Sequence, residues 1–124
     1  RKTSCLIGRW SSKVSSQYTH YPRPQDSGNH EDVTEVTLTN KEGKGIRVTA
    51  IDRPFSFSAL YYTVDDIYKA THDCDLKPRK EIILSLDAAV LGLGNSSCGP
   101  GVLKKYAIDK QKPHTLRVRF SLIK

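Results

Sequence analysis

The chain has 124 residues, 37% of them hydrophobic and 27% charged, a balance that suits one modest core and excludes a disordered chain. Lys and Arg number 20 against 13 Asp and Glu, a formal net charge of +7. These charges are dispersed and no aromatic-interleaved basic platform is present, so nucleic acid is not expected as a partner; no apolar run approaches the ~20 residues of a membrane span.

The chain starts on Arg1 and contains no Met, as an excised segment or processed product would. Arg1-Lys2-Thr3-Ser4 leads into no apolar stretch, so a signal peptide is not expected at this end. In chain order, Tyr21 to Asn29 comes first, a Pro-, Gly- and Asx-rich segment expected to be an ordered loop. Val36 and Leu38 mark a strand. Asn40 to Gly45 is a turn whose glycines supply positive φ, and Ile46, Val48 and Ala50 mark the returning strand. Phe55 and Phe57 predict another short strand after Pro54.

One helix is predicted from Val64 to Thr71. Thr63 is its cap, Asp65 and Asp66 lie in its first turn, and Val64, Ile67, Tyr68 and Thr71 form one packing face. His72 and Asp73 end it. Ile82, Leu84 and Leu86, then Leu116, Val118, Phe120 and Leu122, alternate with polar residues as strands with one buried face. Between these two strands Gly92 to Gly101 reads as an irregular loop, glycine-rich enough to turn sharply or approach a ligand. Many strands and one short helix predict an all-β fold, an antiparallel β-sandwich.

Few residues invite chemistry. The close acid pairs Asp65/Asp66 and Asp73/Asp75 read as structural, because adjacent helical residues face different ways and a helix start favours negative charge. His20, His30, His72 and His114 lack the spacing of a helical ligand pair, and Cys5, Cys74 and Cys98 match no zinc pattern. His72 is expected to cap carbonyls or pack between helix and sheet. Three cysteines cannot all pair; free thiols and one incidental bridge both stay open. Trp10, Tyr18, Tyr21, Tyr61 and Tyr62 could form a sugar-binding face, but such aromatics more often pack in the core.

Four blocks, in order, carry a family resemblance. Gly92-Leu93-Gly94-Asn95-Ser96-Ser97-Cys98-Gly99-Pro100, followed by Tyr106, resembles the G-x-G-x-x-S-W-G-P stretch near the carboxy terminus of glycoside hydrolase family 2 β-galactosidases. Tyr18 to Asn29, through its stretch from Tyr21, is similar to their Y-x-x-P-Q-E-x-G-N segment, and Phe55-Ser56-Phe57-Ser58-Ala59 with Tyr62-Thr63 to their F-S-F-S-A strand and helix start. Ala70-Thr71-His72 through Leu76, then Leu84-x-Leu86-Asp87, resembles their A-T-H-x-x-x-L and L-x-L-D positions.

The resemblance implies the second half of the small-chain domain, a fragment of a galactose-mutarotase-like supersandwich, within a bacterial enzyme of cytoplasm or periplasm. The full-length protein is then a homo-oligomeric retaining hydrolase of terminal β-galactosides. Its paired carboxylates lie in a barrel outside this chain, so no catalytic residue, metal or cofactor is expected here. The partners implied are the remaining domains of the parent and a β-galactoside. Asn95, Ser97 and Cys98 are the candidate substrate-binding residues. Cys98 replaces the family's aromatic at the leaving-group end of the active site, and Asp26 its Glu. An autonomous carbohydrate-binding module and a galactose-mutarotase-like domain are the rival readings.

Overall fold

A computed structural model describes residues 7–91 and 98–124. Six strands and one short helix form in the order β1 (His30–Val33), β2 (Glu35–Thr39), β3 (Gly45–Ala50), β4 (Phe55–Leu60), α1 (Val64–Lys69), β5 (Ile83–Asp87) and β6 (Val118–Ile123). The strands build two antiparallel three-stranded sheets, ordered β1-β4-β5 and β2-β3-β6. The expected all-β class with one short helix is what forms. Contacts group the chain into two compact units, Arg1–Gly28 with Ala59–Leu84, and Asn29–Ser58 with Ser85–Lys124.

In the second unit, the β2–β3 hairpin follows from its turn chemistry. The Asn40 side-chain oxygen accepts from the backbone N–H groups of Glu42 and Lys44, and Gly43 takes φ +82°. Gly45 serves a different need: a Cβ there would lie 1.9 Å from the Leu38 carbonyl oxygen, so only glycine lets the strands close. Arg117, salt-bridged to Asp52, and Arg53, which donates to the Thr115 carbonyl at 2.6 Å, tie the exit of β3 to the entry of β6.

β1 was not foreseen. His30 and Val33 pair with Phe57 and Phe55, so β1 carries one residue more than β4 over this stretch, and Asp32 takes φ +56° at the resulting bulge. Central β4 is longer than expected and buries Phe55, Ser56, Ala59 and Leu60. The alternation of β6 produced a strand, but not a covered face: Phe120 and Leu122 are exposed, because no further element lies over them among the described residues.

In the first unit, Tyr18, Leu60, Ile67, Ala70 and Leu76 make the core, with Tyr62 packed against it. Helix α1 has the expected capping box: the Thr63 hydroxyl accepts from the Asp66 N–H at 3.1 Å, and the Asp66 carboxylate accepts from the Thr63 N–H at 2.8 Å. It ends at Lys69, two residues before the expected Thr71, because Ala70 turns extended and His72 starts a separate 3₁₀ turn, Asp73–Asp75. With one short helix the inward face is Ile67 and Ala70, while Val64 and Tyr68 point to solvent. The expected four-residue face is therefore corrected to this pair.

Candidate functional site

The loop of interest leaves β5 at Ala88. Asn95 and Ser97 lie outside the described residues; Cys98 is exposed and begins the turn into Pro100. A 3₁₀ turn, Lys104–Tyr106, follows, with the Lys105 ammonium 4.6 Å from the centre of the exposed Tyr106 ring.

The residues entering this loop border a shallow cavity of about 260 Å³. It is lined by Glu31 and Asp32 of the β1 bulge, by Phe55 and the buried Ser56, and by Ala88 and Val90. Sequence reasoning missed this cavity. Its only local signal is Asp32, one of the few residue types that tolerate a left-handed backbone.

The histidines are each engaged. His20 Nδ1 lies 2.8 Å from the Asp73 carboxylate, 53 residues away in sequence, and its ring meets Tyr18 edge-on. His30 stacks on Phe57, its cross-strand partner, at 4.9 Å, and burial lowers its pKa. His114 Nε2 is 2.9 Å from the Asp109 carbonyl oxygen. The exposed His72 neither caps helix carbonyls nor packs on a sheet; its backbone N–H donates to Asp75 at 2.8 Å and starts the 3₁₀ turn. Among the described residues no three His, Cys, Asp or Glu side chains converge as a metal site.

The acid pairs serve structure, as expected. Asp65 pairs with Lys69 at 2.6 Å, one helical turn on. Arg79 clamps both Asp66 oxygens at 2.6 and 2.8 Å, and this clamp, with the Thr63 N–H, holds the carboxyl well below the usual range. Hydrogen bonds from the His72 and Thr71 backbones also lower the Asp75 pKa. Tyr18 and Tyr62 are core residues in edge contact at 5.1 Å, whereas Trp10 stays exposed. The Tyr18 hydroxyl is buried, and burial raises its pKa against the smaller opposing effect of the Gln25 backbone.

The geometry thus offers an exposed Cys98 at a turn on a β scaffold, and no acid/base pair poised for hydrolysis among the described residues. Residues 1–122 match the family described as β-galactosidase small chain. The chain belongs to that family. It is 33% identical over 119 residues to β-galactosidase BgaC of Bifidobacterium adolescentis, covering 94% of this chain and 11% of that protein. It is 32% identical over 112 residues to a β-galactosidase of Kluyveromyces lactis, 90% of this chain and 10% of that protein. A β-galactosidase small subunit of Latilactobacillus sakei is 33% identical over 102 residues, 73% of this chain and 32% of that protein.

This small-chain segment therefore spans about a tenth of the length of the long relatives it matches. The steric reason for a glycine in the Tyr18–Asn29 block is local. Gly28 takes φ +78°, and a Cβ there would lie 2.7 Å from the Gln17 carbonyl oxygen and 3.2 Å from Leu60. The loop closes on the core only without a side chain at that point. No helix of the described residues is long and apolar enough to cross a membrane.

Proposed function

We propose that this chain is the second half of a small-chain domain in a family 2 β-galactosidase, where it shapes the leaving-group side of an active site built by other domains. The full-length protein hydrolyses terminal β-galactosyl residues with retention, and assembles as a homo-oligomer. Membership of the small-chain family over nearly the whole chain carries this reading. Three further points support it. The long relatives are named β-galactosidases. The described acid pairs are spent on helix capping and ion pairs, which leaves the hydrolytic carboxylates to the rest of the parent. Cys98 is exposed at a turn, Asn95 and Ser97 shortly precede it in the sequence, and binding residues usually sit on connections held by a rigid scaffold.

The test is an assay on a chromogenic β-galactoside with the full-length parent and the purified 124-residue chain. The parent is expected to turn over and the isolated chain to be inert. Turnover by the isolated chain that survives rigorous purification overturns the accessory role, and a parent inactive on every β-galactoside overturns the activity.

A further inference from the structure

The bulge of β1 gathers side chains that a regular strand would separate. Successive strand residues ordinarily point to opposite faces. Here His30 pairs with Phe57 and Val33 with Phe55, so Glu31 and Asp32 together stand opposite Ser56 alone. With Asp32 at φ +56°, both acids line the same shallow cavity that Ser56 lines.

Every side-chain polar atom around this cavity is an oxygen. Glu31 and Asp32 bring carboxylates and Ser56 a hydroxyl, and no nitrogen-bearing side chain enters the lining. Ala88, Ala89 and Val90, at the exit of β5, can add only main-chain groups. On a chain of formal charge +7, these two carboxylates enter no ion pair among the described residues.

Two exposed acids alone would be solvated surface. Ser56 is the independent sign of a ligand. It is 8% exposed, and no other serine, threonine or charged residue is buried among the described residues. Its side chain nevertheless enters no hydrogen bond among them, a costly state for a hydroxyl so far removed from bulk water.

We propose that the β1 bulge binds a divalent cation of the calcium type. The Glu31 and Asp32 carboxylates and the Ser56 hydroxyl hold it, and water or main-chain carbonyls complete the shell. Hard oxygen donors select such ions. Calcium suits this set better than magnesium, because it accepts irregular geometry and carbonyl ligands, whereas magnesium demands a near-ideal octahedron. The bound ion ties the β1 bulge to the exit of β5, ahead in sequence of the connection that carries Cys98. The site stands apart from the proposed hydrolase function and needs nothing from it.

The experiment titrates calcium chloride into the full-length parent at constant ionic strength. Hydrogen exchange is followed in segments 30–33, 55–57 and 88–90, in wild type and in the Glu31→Gln, Asp32→Asn and Ser56→Ala variants. Calcium should slow exchange in all three segments, with a midpoint of ~0.1–1 mM. Glu31→Gln and Asp32→Asn should each raise that midpoint at least about tenfold, since each removes a charge beside a divalent ion; Ser56→Ala should raise it less. Magnesium chloride should protect less than calcium at equal concentration. Asn tolerates the left-handed backbone of position 32. If Asp32→Asn still loosens the bulge, seen as faster exchange without calcium, the exposed Glu31→Gln carries the test. Exchange in these segments that calcium leaves unmoved, or slows equally in wild type and Glu31→Gln, overturns the proposal. Equal protection by magnesium overturns the choice of ion. Turnover of a β-galactoside is read separately, so either reading can fail alone.

Discussion

Asp66 is the residue on which α1 depends most. Its carboxylate accepts from the Thr63 N–H and from the Arg79 guanidinium, so folding favours its ionised form. The folded pKa is depressed below the ordinary 3.8, so the stabilisation is present in full above that value and is lost as the pH falls below it. Asp75 acts with the same sign. Melting temperature followed between about pH 2 and 6 should therefore fall steeply below about pH 4. Asp66→Asn should flatten that fall; an unchanged acid limb in the variant rules the residue out as a source. His30, stacked on Phe57, is also depressed, here by partial desolvation, so charging it opposes folding. Its NMR titration midpoint should lie below 6.5, the ordinary value. A midpoint above it contradicts the stacked, partly desolvated geometry.

Elements were readable from the sequence where their cause was local. The Thr63 capping box and the Asn40–Gly45 turn depend on side chains within a few residues, and both formed as expected. β1 escaped notice because His30-Glu31-Asp32-Val33 has no apolar alternation; it is a strand through pairing with β4, a non-local cause. The same reason hides the His20–Asp73 pair and the cavity under the β1 bulge. The alternation of β6 was read correctly as a strand, yet alternation alone cannot say what covers the apolar side. Two substitutions separate these causes. Thr63→Ala should cost about 1 kcal/mol in urea unfolding by removing a cap, with Thr63→Ser close to wild type. Gly28→Ala should cost ~1–3 kcal/mol, since it forces a left-handed non-glycine backbone, and its Cβ also meets the Gln17 carbonyl. If Gly28→Ala proves neutral, the loop reaches the core by a different path.

At the scale of the whole molecule, the question is whether the Gly92–Gly101 loop serves the parent's active site. Asn95 and Ser97 lie outside the described residues, so Cys98 is the experimental handle. A Cys side chain is small and cannot stack on a sugar ring, whereas an indole at the same place can. If the loop borders the leaving-group subsite, Cys98→Trp in the full-length enzyme adds a stacking surface for the acceptor and leaves the galactosyl contacts alone. An aromatic contact of about 0.5–1.5 kcal/mol corresponds to roughly a two- to tenfold tighter acceptor or product-sugar inhibition constant. Hydrolysis of a galactoside with a small aryl leaving group should change less, because that group offers little for the indole to cover. Measuring both in parallel separates the subsite from a general disturbance, which depresses hydrolysis and acceptor binding together. If neither constant moves, the loop does not border the leaving-group subsite, and Asn95, Ser97 and Cys98 lose their place as binding residues.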